Sequence, residues 1–271
     1  MDYYHIAAEN LGRDAKLPLL KLNDSGEVFY ELALEMFREI AKNNEAGRRT
    51  VFIVPVGPVG QYPIFVRLVN REHLSLKQTW FLNMDEYLDR EGRWIDKASP
   101  LSFHGFMERQ VYSQLDPQLV MPEEQRVFPN PREPEAMGRL IESLGGVDIA
   151  FGGIGITGHL AFNEPQPELS YQEFAQLPTR VLHISPETRA VNAVGDLGGA
   201  LEDMPLQAVT IGMKEILGAK KLRLAVFRDW HRAVCRRAAY GEVTSAFPAT
   251  LAQLHPDALL YVNKVAAAAA Y

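Results

Sequence analysis

Short apolar, β-branched runs recur at residues 50–56, 78–83, 147–151, 179–184, 208–212, 222–227 and 258–263, separated by longer amphipathic segments. That alternation predicts an α/β fold in which a mainly parallel sheet is covered by helices. In the first amphipathic segment, residues 28–42, the apolar positions Phe29, Leu32, Leu34, Met36, Phe37 and Ile40 fall largely on one helical face. Ser99 and Pro100 offer an N-cap and a first-turn proline to a helix over 103–115. Further helices are predicted over 133–144, 186–194, 214–217, 230–240 and 248–254. No internal repeat is visible, and the one proline-dense stretch, 128–134, is short enough to be a loop leading into a helix. A single domain over residues 1–271 is expected.

In open parallel sheets, ligands bind outside the carboxyl ends of the strands, so chemistry is expected just after the predicted strands. Three unusual segments lie there: VPVGPVGQYP after the first, NMDEY after the second and GGIGITGHLAFNEP after the third. The third has glycines at 152, 153, 155 and 158, interleaved with and followed by Thr157, His159, Asn163 and Glu164. A histidine with a carboxylate partner moves protons near neutral pH, as opening a hemiacetal ring requires. A structural histidine in a strand-to-helix turn is the plainer alternative. NMDEY adds the adjacent acids Asp85 and Glu86. Paired acids are ordinarily just solvated, but at the carboxyl edge of a buried strand Asp85 can face a crevice as a base. Two proton-transfer groups on neighbouring strand ends suggest movement of a proton between adjacent sugar carbons.

Composition narrows the partners. The 271 residues are 47% hydrophobic and 23% charged, with a net charge of -6. Such a surface has no general attraction for nucleic acid or an anionic membrane, so any anionic substrate must be held by local groups. The one cysteine, Cys235, excludes intramolecular disulfides and multi-thiolate zinc sites, and is expected to be a small buried helix residue. The opening MDYYHIAAEN lacks an apolar signal core, and no run of about eighteen apolar residues occurs, so a cytoplasmic location is expected.

NMDEY and GGIGITGHLAFNEP, followed by HISPETRAVN, TIGMKEILGAKKL and LAQLHPDALLYV, resemble the glucosamine-6-phosphate deaminase family over residues 50–262. The related 6-phosphogluconolactonases share a GHxA segment but lack NMDEY. The resemblance implies a three-layer Rossmann-like sandwich. It also implies acid/base ring opening and C1–C2 proton transfer on an amino sugar phosphate, without metal or other cofactor. Asp85 matches the family's base, His159 the ring-opening histidine, Glu164 its supporting carboxylate and Arg189 an arginine on the 6-phosphate. Glu86, beside the base, is placed with the substrate-binding residues.

Three departures fall on functional positions. Thr157 stands where an aspartate is usual, which removes a negative charge from the neighbourhood of His159. The phosphate loop, ordinarily a Thr/Ser-Gly-Gly turn, reads Val56-Gly57-Pro58-Val59-Gly60, losing hydroxyls and one backbone N–H. A phosphate-binding lysine aligns with His231, with Arg232 beside it. These departures support a second reading, an aldose–ketose isomerase of a sugar whose C6 end is carboxylated, sulfonated or neutral. A lactone hydrolase and a non-catalytic sugar sensor are further alternatives. Family members are often homo-oligomers, but the sequence has no signal of its own for assembly.

Overall fold

The computed structural model describes residues 2–271. In chain order, β1 (Leu19–Leu22), α1 (Ser25–Glu45), β2 (Thr50–Val54), α2 (Gln61–Glu72) and β3 (Thr79–Asn83) come first. They are followed by β4 (Asp85–Leu88), α3 (Phe103–Gln110), β5 (Arg126–Val127), α4 (Ala136–Leu144) and β6 (Ile149–Gly153). The remainder is α5 (Tyr171–Ala175), β7 (Arg180–His183), α6 (Pro186–Asp196), β8 (Gln207–Thr210), α7 (Met213–Leu217), β9 (Lys221–Val226), α8 (His231–Tyr240), β10 (Ala258–Asn263) and α9 (Lys264–Ala267).

Seven strands form one parallel sheet in the order β1-β10-β9-β6-β2-β3-β5. The interior strand β2 is buried at every position, and successive side chains go to opposite layers. Val51 and Ile53 join a core that contains Phe174 of α5, Ile216 of α7 and Cys235 of α8. Phe52 and Val54 join a second core with Met36 of α1, Phe65 of α2 and Met107 of α3. The sheet is therefore the middle layer of a three-layer sandwich. Each large side chain so buried contributes about 1.5–3 kcal/mol.

The runs 179–184 and 208–212 depart from the expected topology. As β7 and β8 they pair antiparallel with each other, and β8 pairs antiparallel with β4 on its other side, in a separate three-stranded sheet. β4 falls within NMDEY, so the acids read as a loop begin a strand. Met84 alone separates β3 of the large sheet from β4 of the small one. Its N–H donates to Val54 O at 2.9 Å, and its carbonyl accepts from Ile211 N at 2.8 Å.

Other differences have local causes. α1 begins at Ser25 under an Asp24 cap, and its buried stripe is Val28, Leu32, Ala33, Met36, Ile40 and Asn43, with Phe29, Leu34 and Phe37 at its edges. α3 is capped by Ser102, whose hydroxyl accepts from Gly105 N at 3.0 Å, and stops at Gln110. α2 was hidden by Pro63, which sits harmlessly in its first turn. Residues 248–254 form a 3-10 helix. Cys235 is buried, and burial pushes its thiol up to about 11. Among the described residues no helix is long and apolar enough to cross a membrane.

Candidate functional site

From β2 the sheet grows one way through β3 to β5, and the chain then returns to lay β6 on the other side of β2. The switch in direction therefore lies between β2 and β6, where the loops leaving neighbouring strands diverge and leave a crevice. A cavity of about 640 Å³ opens there. The β2–α2 loop (55–60), the turn after β6, the start of β4, one face of α6 and the β9–α8 junction line it. The β2–α2 loop touches the end of β6: a Cβ on Gly153 would lie 2.9 Å from Gly57 O, so glycine is required for their approach.

Asp85 is delivered to this cavity by the crossover from β3 to β4. It is 7% exposed. Burial, reinforced by the charge of neighbouring Glu86, raises its carboxyl well above the usual range, because none of the described residues compensates the lost hydration.

His159 faces the same cavity from the turn after β6. The turn closes through Gly155 N to His159 O (3.0 Å) and Gly158 N to Gly155 O (2.9 Å), with Gly158 at φ +82°. The imidazole lies directly over Gly155, where a Cβ would be 2.0 Å from Nε2. Its hydrogen bonds go to Nδ1, which meets Thr157 Oγ1 at 2.8 Å and Thr188 Oγ1 at 3.2 Å. Thr157 in turn donates to Glu164 Oε2 at 3.0 Å, and Ser185 N donates to Glu164 Oε1 at 3.2 Å. A proton on Nδ1 thus reaches Glu164 through the Thr157 hydroxyl, besides the direct Nδ1–Oε2 approach of 3.5 Å. Burial alone raises the Glu164 carboxyl, but the hydrogen bond and charge of His159, with the Thr188 and Thr157 hydroxyls, outweigh it and hold it at about 2. Thr157 therefore links the histidine to its carboxylate instead of merely lacking a charge. This arrangement fixes the tautomer with Nε2 toward the cavity.

The other expected site residues have different surroundings. Gly57 lines the cavity at φ +138°, beside a cis Gly57–Pro58 peptide. Glu86 does not line it. Its carboxylate is fully buried and accepts from Tyr87 N (2.8 Å), Ser102 Oγ (3.0 Å), Phe103 N (3.2 Å) and His104 N (2.8 Å), tying α3 to β4. A substrate-binding role is replaced by a structural one. Replacing Glu86 with alanine should lower unfolding stability by about 3 kcal/mol or more, since four donors lose a charged acceptor. Urea unfolding measures this, and a loss under about 1 kcal/mol removes Glu86 from the scaffold.

Arg189 also lies off the cavity lining. Its Nη2 donates to Leu201 O (3.2 Å) and Met204 O (3.0 Å). The reason is helical phase: Thr188, Val191, Asn192 and Gly195 share the α6 face toward the cavity, and Arg189 is turned about 100° from Thr188. His231 lines the cavity, but Nδ1 accepts from Phe227 N (3.0 Å) and Arg228 N (2.9 Å), and Nε2 donates to Ile154 O at 3.0 Å. Burial, together with the nearby Arg228 charge and against the Ile154 hydrogen bond, lowers the imidazole to about 3, so it is a neutral splint between β6 and α8. Arg232 pairs with Asp229 away from the lining. Arg228 is the one arginine or lysine among the described residues that line the cavity, with Asp196 and Asn192 also on its wall. Sequence reading missed Thr188, Asn192 and Asp196, although their spacing on a helix following a strand was a usable signal.

No family model matches the chain. A glucosamine-6-phosphate deaminase of Bacillus pumilus is 27% identical over 256 residues, covering 92% of this chain and 98% of that protein. One from Shouchella clausii is 30% identical over 216 residues, covering 78% and 81%. A solved structure of a monomeric glucosamine-6-phosphate deaminase superposes with a TM-score of 0.78 at 26% identity, covering 92% and 98% of the two chains. A 6-phosphogluconolactonase from Shewanella baltica shares the fold, with a TM-score of 0.60 at 14% identity and coverage of 90% and 97%. With a relative 30% identical over most of both chains, and the same architecture in a solved deaminase across nearly their full length, the chain belongs to the glucosamine-6-phosphate deaminase family.

Proposed function

We propose that the chain opens the ring of an amino sugar and moves a proton between C2 and C1, releasing ammonia where the substituent on C2 is an amine. The observation that carries this reading is the meeting of two proton-transfer groups in one cavity: the buried carboxyl of Asp85 and the Thr157-linked His159–Glu164 pair.

His159 Nε2, unprotonated in this tautomer, takes the proton of the C1 hydroxyl and passes it to the ring oxygen, and the hemiacetal opens to an aldehyde. Glu164 holds the imidazolium in place while the charge is there. Asp85 then takes the proton from C2, leaving an enolate, and returns it to C1. With a C2 amine the product of that transfer is an imine, which water cleaves to a ketose and ammonia. A raised carboxyl suits this shuttle, because a group that must both accept and return a proton works best near the ambient pH.

Incubation of glucosamine and glucosamine-6-phosphate in deuterium oxide tests the reading, with ammonia assayed and product C1 examined for solvent deuterium. Exchange at C1 with ketose formation is expected. Lactone hydrolysis with no exchange on any amino sugar overturns it and assigns His159 to water activation.

The relay has its own signature. Thr157→Asp places a carboxylate at hydrogen-bond range of Nδ1, where negative charge favours the imidazolium. The limb of the pH–rate profile governed by the His159–Glu164 system should move to higher pH by roughly one pH unit or more. An unmoved profile of kcat/KM against pH means that position 157 is not coupled to the proton transfer.

A further inference from the structure

The cavity has two chemically different ends, and α6 sets the distance between them. Thr188, in its first turn, touches His159, while Gly195 and Asp196 line the cavity from its last turn. Seven to eight residues of helix separate them by about 11 Å, enough to hold an open six-carbon chain lengthwise. The far end is closed by Phe29 of α1, Val56 and Val59 of the β2–α2 loop, and Phe227 and Trp230 at the β9–α8 junction. Phe29 and Phe227 meet edge to face with centroids 5.0 Å apart. Phe29 also lies flat on Gly60, where a Cβ would be 2.2 Å from its ring, so an aromatic face occupies the space in front of α2. Pro58, in the same loop, has no N–H to offer.

Charge at this end is balanced, not cationic. Arg228 packs beside Gly195, where a Cβ would be 3.4 Å from Nη1, and Asp196 is the next residue on α6. His231 behind them spends both ring nitrogens on backbone groups. Arg189 and Arg232 are directed elsewhere, onto backbone carbonyls and Asp229. One donor and one acceptor at the edge of an apolar wall are what a hydroxyl matches, since it both donates and accepts. A phosphoryl group only accepts, and its two negative charges would have to sit beside Asp196 with a single guanidinium to offset them.

Resting on the amino-sugar reading above, we infer that this end of the cavity selects an uncharged, hydroxyl-bearing C6 terminus, so that the substrate is an unphosphorylated amino sugar. Arg228 and Asp196 hold the terminal hydroxyl between them, and Phe29, Phe227 and Trp230 pack against the sugar carbons. The residues that discriminate between substrates thus lie two helical turns from the residues that move protons.

The test uses calorimetric titration of the full chain with 2-amino-2-deoxy-D-glucitol and with its 6-phosphate, which lack the carbonyl needed for turnover. The unphosphorylated alditol should bind at least about tenfold more tightly. Asp196→Asn should narrow that gap by improving binding of the 6-phosphate. Equal or tighter binding of the 6-phosphate by the unaltered chain overturns the inference and leaves the proton-transfer reading intact. A gap unchanged in Asp196→Asn removes Asp196 from the discrimination and overturns the assignment of this pair. If neither alditol binds and neither parent sugar exchanges at C1, the amino-sugar reading itself fails, and this inference with it.

Discussion

Asp85→Asn is expected to reduce turnover by roughly 10²–10⁴-fold or more while the protein folds normally. The amide keeps the shape of the carboxyl but cannot take a proton from C2. Its effect on stability should have the opposite sign. Burial and Glu86 raise the Asp85 carboxyl in the folded state, so folded protein holds this proton to higher pH than the unfolded chain does. Stability contributed by the protonated form is present at low pH and lost as pH rises from the ordinary carboxylate range through the raised folded value. Asparagine removes that loss, so Asp85→Asn should melt at the same or a higher temperature at neutral pH than the unaltered chain. The same raised carboxyl places the acidic limb of the activity profile above the ordinary carboxylate range, because only the ionised form is a base. Near-normal activity in the variant would falsify the assignment of Asp85 as the base. A sharp fall in melting temperature would instead mark the position as structural.

Gly155→Ala tests His159 without removing it. The new Cβ would sit 1.9 Å from Cε1 and 2.0 Å from Nε2, far inside van der Waals contact, so the ring must leave its place. Gly155 is not among the residues at positive φ, and alanine there meets no backbone penalty. Displacement of a catalytic group by about 1 Å costs on the order of 10²-fold, and a loss of that size in kcat/KM is expected on a ring-closed sugar. Activity on an open-chain substrate should fall much less, since ring opening is then bypassed. The stability cost should stay within about 1–3 kcal/mol, as for other local overpacking. Equal losses on both substrates would show that His159 acts after ring opening.

Much of this was readable from residue order. Short continuous apolar runs and period-3.6 patterning located seven strand segments and most helices, because a strand buried on both faces and a helix buried on one leave different apolar signatures. The glycine-rich turn with His159 and Glu164 was visible as a constellation, since its geometry is local: Gly155, Thr157, His159 and Glu164 meet within ten residues of chain. Even so, the joining role of the Thr157 hydroxyl was not legible, because it depends on the direction of one O–H bond.

What tertiary structure alone decided lies where separate segments meet. Asp85 faces the cavity only because β4 pairs with β8, 125 residues later at Asp85 and Thr210. Glu86, its neighbour, points the other way along the pleat and caps α3, a division that period-two geometry permits but does not assign. Charge was the least legible property. Arg189, His231 and Arg232 all looked able to meet an anion, yet a one-residue turn of helix, two backbone hydrogen bonds to a buried imidazole and a neighbouring aspartate withdrew each of them. Arg228 and Asp196, from elements 32 residues apart, took their place on the wall. A sequence specifies which groups are ionisable, but packing decides which of them keep an unpartnered side toward the ligand.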